Sequence, residues 1–355
     1  MDDRLLKWFE LASLAPSAAN NQPWSYHGEI AGREYHIFVK IHPEILTNPS
    51  TLDPYFATAT IAIGCFIQNL EIAAHLEGFK CNVTEITGET AATWEWKLIF
   101  VSAPTTEINL LCTEATLRRR VSNRTLYDRT PIATSDLKTT QKFMNEFPHL
   151  SLSKIGSLRD EWINVLIKLE SVRLNEDVLR EELFQEFRTQ SEIAADPVGL
   201  PINTVSNSFF QRALIFLMKK VPLFRLPLKY GAGPLFSWLS LSRPLFYSGD
   251  LFALQLTDRN PRTGVELGKT LEGLWLLWTE LGYSVQVIAL PILIYGNKNG
   301  LLGQRISSAG NKDLCSVQST AQQNLKMDLT LMTVLMRVGY STESTPQSPR
   351  RRIVL

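Results

Sequence analysis

Charge of one sign is what this sequence most conspicuously lacks: 36 Lys and Arg stand against 35 Asp and Glu. A general nucleic-acid binder would carry a strong basic excess, so that class is not expected. Cysteine is sparse. Cys65, Cys81, Cys112 and Cys315 form no CxxC pair, so neither a zinc site nor a disulfide framework is indicated. The histidines are His27, His36, His42, His75 and His149, with none in the last 206 residues. A histidine triad or metal site in the C-terminal half is therefore not expected. Met1-Asp2-Asp3-Arg4 lacks the basic start and apolar stretch of a signal peptide. Residues 209–249 are apolar but are cut by Lys219, Lys220, Arg225, Lys229 and several prolines. No uninterrupted run reaches the roughly 18–20 residues of a spanning helix. These absences predict a soluble, cytoplasmic chain without a transmembrane segment.

The 355 residues, 45% of them apolar, suffice for two ordinary domains or one large fused unit. A weak internal repeat aligns residues 61–83 with 265–287 at a constant offset of 204. Gly64 meets Gly268, Leu70 meets Leu274, Gly78 meets Gly282 and Val83 meets Val287. Each copy reads as a buried helix ending at a glycine suited to a left-handed cap, then a short strand. Alternation predicts strands over 34–41, 93–102 and 251–257, and a hairpin precedes the first of them. Residues 104–115 read as a connection between halves, and 135–190 as helical. Residues 194–248, with no clear period, suit a lid insertion, and the last fifteen residues have the composition of a flexible arm.

Three stretches carry polar chemistry. Ala15-Pro16-Ser17-Ala18-Ala19-Asn20-Asn21-Gln22-Pro23-Trp24 offers amides that both donate and accept, suited to the edge of a mixed heterocycle. An ordinary helix-to-strand turn has the same composition. In Arg120-Val121-Ser122-Asn123-Arg124, alternate residues would point the same way on an extended segment. Two guanidinium groups and a hydroxyl suit a phosphate. A solvated basic face reads the same way. Ser348-Pro349-Arg350-Arg351-Arg352 repeats the alternation in what is otherwise a disordered basic tail.

Together these stretches resemble the nitroreductase family, with its PS-x-x-N-x-QPW segment near the flavin ring and its R-x-S-x-R segment near the phosphate. Gly273-Leu274-Trp275 is similar to the GLW-like run of that family's central helix. The order is changed here: the first motif opens one half and the second opens the other. This arrangement resembles the Acg-like branch. Asp53-Pro54, the 196–201 stretch Asp-Pro-Val-Gly-Leu-Pro, and Arg337-Val338-Gly339-Tyr340 are similar to that branch as well.

The resemblance implies an α+β, nitroreductase-like fold: two tandem halves, 1–110 and 111–355, forming an intramolecular pseudo-dimer with antiparallel-rich sheets flanked by helices. It implies one flavin mononucleotide (FMN) per chain, bound by Pro16, Ser17, Asn20, Gln22, Arg120, Ser122, Arg124, Arg350 and Arg352. The flavin carries the chemistry, so no catalytic side chain is assigned. NAD(P)H or an organic substrate would supply hydride and a nitroaromatic or quinone would accept it. The chain would act as a monomeric pseudo-dimer or a higher oligomer. Two departures stand out. Tyr55-Phe56-Ala57 replaces the branch's Gly-Arg pair, and Val287-Ile288-Ala289-Leu290 replaces a P-x-E-G segment near the reactive nitrogen. That loss keeps a second class open, an FMN-sequestering protein whose lid covers the flavin. A substrate-specific flavin oxidase or dehydrogenase acting on a peptide or metabolite, and peripheral membrane attachment through 209–249, remain further alternatives.

Overall fold

The structure, a computed structural model, describes residues 2–53, 55–104, 112–156, 159–206, 208–256, 263–295 and 304–353. Pro54 and most of the expected connection 104–115 lie outside the described residues. The fold is α+β, built on antiparallel sheets.

Helix α1 (Asp3–Ala12) is opened by Asp2, whose side chain accepts from the Arg4 amide. It buries Leu5, Trp8, Phe9 and Leu11 against a first sheet. That sheet comprises β1 (Trp24–Ala31), β2 (Glu34–Ile41), β3 (Phe79–Thr87) and β4 (Glu95–Ser102). Tyr35, Ile37, Val39 and Ile41 on β2, and Trp96, Leu98 and Phe100 on β4, alternate inward as a half-buried sheet requires. Trp8 sits at their centre, 5.0 Å from the Tyr35 ring and 5.5 Å from that of Phe100. Between β2 and β3 come the short α2 (Pro43–Thr47) and the long α3 (Ala57–Leu76). Asp53 caps α3 by accepting from the amides of Thr58 and Ala59, each at 3.0 Å.

The second half runs through α4 (Glu114–Arg119), α5 (Thr134–Met144), β5 (Leu150–Lys154), α6 (Arg159–Asn175) and α7 (Asp177–Glu186). The stretch read as uniformly helical over 135–190 thus contains a strand. Then follow β6 (Phe187–Arg188), α8 (Gln190–Ala195), β7 (Leu200–Pro201), α9 (Ile202–Val205), α10 (Phe209–Lys220) and α11 (Gly233–Phe246). The segment 194–248, without a clear period in sequence, is largely helical, and α11 packs on α6. The chain closes with β8 (Asp250–Leu256), α12 (Gly264–Glu280), β9 (Ser284–Ile288), α13 (Leu290–Tyr295), the helix Ser308–Thr320 and β10 (Thr333–Gly339). Strands β8 and β10 are apolar almost throughout because both faces are covered. Phe252, Leu254, Val334 and Met336 face α12, while Leu251, Ala253 and Leu335 face the core around α6.

The two four-stranded sheets share one topology. The first runs β1-β2-β4-β3 and the second β5-β8-β10-β9, so each has its strands in the spatial order first, second, fourth, third. In each, the long helix lies between the second and third strands. A two-residue turn joins β1 to β2, whereas residues 155–249 separate β5 from β8.

Helices α3 and α12 pack directly on one another. By length and composition α3 could cross a membrane, but 89% of its apolar window is buried inside the protein. Gly78 and Gly282 follow the two helices with φ of 82° and 88°, the left-handed geometry expected of them. The helices cross at Gly64 and Gly268. A Cβ at either position would come within 2.9 Å of the other's Cα. The Gly64 Cβ would also strike the Val265 carbonyl, and the Gly268 Cβ the Ile61 carbonyl. Residues 61 and 265 are again 204 apart, so the contact is reciprocal. Gly64→Ala or Gly268→Ala would gain up to about 1 kcal/mol of helix propensity. Overpacking costs about 1–3 kcal/mol or more. The expected net result is a lower urea midpoint. An unchanged midpoint would refute the close crossing.

Candidate functional site

Helix α1 stops at Ala12 and the chain turns through Pro16 into a 3-10 turn, Ala18–Asn20. Ala19, Asn20 and Gln22 all hold positive φ, at 50°, 55° and 48°. Each such non-glycine residue costs roughly 1–3 kcal/mol, so the surroundings must impose the conformation. The Gln22 amide donates to Ser17 Oγ at 3.0 Å. Asn20 Nδ2 donates to the carbonyls of Pro197 (3.1 Å) and Pro349 (3.2 Å). Gln22 Nε2 donates to Pro197 at 2.9 Å, and its Oε1 accepts from the Arg351 amide at 2.7 Å. The loop is therefore pinned by the 196–201 turn and by the C-terminal arm.

Beyond α4 the chain extends, and Ser122 bridges Val285 on β9, with the Asn123 amide donating to Val285 at 2.9 Å. Arg120, Val121, Ser122 and Arg124 all line one cavity. Arg337, fully buried on β10, holds this segment from behind. It donates to Gln286 Oε1 at 2.6 Å and to the carbonyls of Asn123 and Thr125, and lies 3.9 Å from the Tyr127 ring centre.

The cavity has two adjoining chambers that share Pro16, Ser17, Ser122, Arg124, Leu200 and Trp275. The smaller, about 90 Å³, is the cationic end, with Arg120, Arg124 and Arg350 in its wall. Arg120 Nε lies 2.8 Å from Glu272 Oε1 without hydrogen-bond alignment, and its guanidinium sits 4.5 Å from the Trp275 ring centre. Both Arg120 and Arg350 donate to the Leu14 carbonyl, at the end of α1. Arg350 also donates to Asn20 Oδ1 at 2.7 Å, while its buried Nε has no partner. Arg124 Nη1 donates to the Thr204 carbonyl at 2.9 Å. The larger chamber, about 230 Å³, is walled by Ile61, Cys65, Leu271, Trp275, Val287 and Ala289, with Arg173 and Glu186 as a charged pair 3.3 Å apart.

Of the nine residues expected at a cofactor, Pro16, Ser17, Asn20, Arg120, Ser122, Arg124 and Arg350 line the cavity. Gln22 and Arg352 do not. Gln22 is buried and spends its amide locking the loop. Arg352 is exposed, because the arm forms no strand and alternation fails there. Arg351 instead reaches Glu44 Oε2 at 2.6 Å and His42 at 3.0 Å. The arm's composition suggests a flexible end, yet Thr345 is buried and Arg350 is walled into the site. Leu200, the only residue of the expected lid in either chamber wall among the described residues, roots that segment at the cavity. Sequence reasoning missed Glu272 and the Arg173–Glu186 pair. A lone carboxylate in the apolar run of α12 was the available signal for Glu272.

Burial dominates the electrostatics. It pulls Arg350 down to about 9, with Arg120 adding repulsion and Glu272 opposing. Arg124 is pulled down to about 10. Burial pushes Glu272 up to about 7 against the attraction of Arg120. It pushes Glu186 to about 7, Arg173 opposing and Glu182 and Glu170 reinforcing. The Cys65 thiol is likewise raised by burial, so it remains a thiol and donates to the Gly268 carbonyl at 3.2 Å.

No protein-family model and no curated protein matches this sequence. Among solved structures the chain is similar to the FMN-dependent nitroreductase NfnB from Mycobacterium smegmatis, solved in complex with NADPH. Identity is 12%, the match covers 67% of this chain and 93% of that one, and the TM-score is 0.36. A likeness of that size carries no functional argument, which rests on the cavity instead.

A carboxyl whose pKa is raised on folding binds its proton more tightly in the native state. Its contribution is fully present below the unfolded value of 4.5 and is lost as pH rises through about 7. Stability should fall by about 1–3 kcal/mol per carboxyl between pH 5 and pH 8. Glu272→Gln or Glu186→Gln should flatten that decline in urea titrations at the two pH values. An unflattened slope would show that other groups set it.

Proposed function

We propose that the chain binds FMN in this cavity and acts as a flavin oxidoreductase. One observation carries the reading. Three segments distant in sequence, at 14–20, 120–124 and 346–350, meet around one cavity and set three guanidinium groups, that of Arg120 buried and those of Arg124 and Arg350 half-buried, at one end of an apolar chamber. Arg124 and Arg350 pay desolvation without a matched anion, and a dianionic phosphate would supply one through forked, charge-assisted bonds. The unpartnered Arg350 Nε is a donor in position for it. Ser122 would add a hydroxyl. Trp275, Leu271, Ile61 and Val287 would exclude water from the ring, with Ser17 approaching from the strained loop.

When bound, FMN supplies the hydride chemistry. The protein orients and shields, and Cys65, held as a buried thiol, provides no nucleophile. We read the two sheets as tandem halves, 1–110 and 111–355, of an intramolecular pseudo-dimer. Shared strand order and the reciprocal Gly64–Gly268 contact support this. The ring-side loop would come from the first half and the phosphate cluster from the second. NAD(P)H is the proposed reductant and a nitroaromatic or quinone the proposed acceptor. Sequestration without turnover is favoured by one feature: Ala289 leaves the chamber wall apolar where a hydride-handling glutamate would stand.

The purified protein should be yellow and release FMN on denaturation. Arg124→Ala should cut bound flavin at least about tenfold, the loss of one charge-assisted contact of about 1.5–3 kcal/mol. A mutant that stays fully yellow, or a colourless wild type that does not take up added FMN, would sink the assignment. Anaerobic mixing with NADH and NADPH separates the two readings: rapid bleaching supports the oxidoreductase, and none supports sequestration.

A further inference from the structure

The structure carries a second unusual surface, away from the chamber walls. Of the 19 large apolar side chains most exposed among the described residues, 14 fall between Phe209 and Tyr247. Phe209 is 80% exposed, Phe210 74%, Leu223 67%, Tyr230 81% and Trp238 55%. Contiguous apolar patches of this kind on a protein surface mark interaction sites.

The exposed groups follow helical spacing. Leu235, Trp238, Leu239 and Phe246 lie on one side of α11, while Gly233 and Ser237 are buried on the other. On α10, Phe209 and Phe216 or Phe210 and Leu217 are two turns apart, and Met218 is buried. Gln211 Nε2 donates to the Leu239 carbonyl at 3.5 Å, tying the two helices into one face.

Charge identifies the partner. Residues 197–249 contain no Asp or Glu, but hold Arg212, Lys219, Lys220, Arg225, Lys229 and Arg243, in a chain whose charges balance overall. Lys219 and Lys220 pair with Glu192, and Arg225 with Glu181. Arg212, Lys229 and Arg243 have no carboxylate partner among the described residues. A two-fold dimer through this face would set cations against cations. An anionic lipid surface complements both its apolar and its cationic character. The helices, of 12 and 14 residues, reach only about 18 and 21 Å, short of a hydrocarbon core of about 30 Å. They suit lying in the interface, not spanning it.

We infer that α10, α11 and the turns between them form a docking face for an anionic membrane surface. The test is flotation of the full chain with vesicles of phosphatidylcholine alone and of phosphatidylcholine mixed with phosphatidylserine, a readout independent of flavin. The chain should float with the mixed vesicles, bind the neutral ones far less, and be released by high salt. Phe210→Ser and Trp238→Ser should each weaken binding at least about tenfold. Lys229→Gln and Arg243→Gln should each weaken it about fivefold. All four side chains are exposed, so unchanged thermal melts should accompany these losses. Failure to float with mixed vesicles overturns the proposal, as does flotation that none of the four variants weakens. A dimer in light scattering that Phe210→Ser dissociates, in a chain that never floats, would assign the face to a second copy and overturn it equally.

Discussion

The crossing of α3 and α12 is the constraint on which the rest of the molecule depends. Two backbones approach closely enough that neither Gly64 nor Gly268 can carry a Cβ without displacing the other helix. That approach brings two sheets of like strand order around one continuous core. It also fixes where the next turns of α12 lie, against the end of α4. Glu272 thereby meets Arg120, and Trp275 enters both chambers. At the far side of the same crossing, Lys269 pairs with Glu71 at 2.8 Å.

The cationic end of the cavity is an unfavourable arrangement that the fold sustains by shared acceptors. Two guanidinium groups draw on the Leu14 carbonyl, two residues beyond the end of α1. Asn20 orients Arg350, and Arg337 holds the backbone of the 120–125 segment. The left-handed residues of the 15–24 loop belong to the same arrangement, since Pro197 and Pro349 hold that loop against its preference. Strain and uncompensated charge thus collect at one place, as is common where a ligand completes the interactions.

The cavity and the apolar face are joined through residues 196–205. The Thr204 carbonyl accepts from Arg124, Leu200 lines both chambers, and α10 begins a few residues later.

Much of the local architecture was legible in the residues themselves. The hairpin, the alternation of β2, the capping glycines and the two buried helices follow from backbone preference and hydrophobic period, which are properties of neighbours in sequence. That Arg120, Ser122 and Arg124 lie on an extended segment was legible for the same reason, although Val121 lines the same cavity. Arg352 and Gln22 lie off the cavity wall because the arm forms no strand and because an amide can serve the backbone as readily as a cavity. The strand hidden in 150–154 and the helices of 209–246 escaped a period-based reading in a stretch interrupted by proline or charge. Only the tertiary structure could decide that residues 14, 120 and 350 share one carbonyl, that Glu272 opposes them, and that Gly64 and Gly268 touch each other. Those facts depend on contacts between segments hundreds of residues apart, and no local preference encodes them.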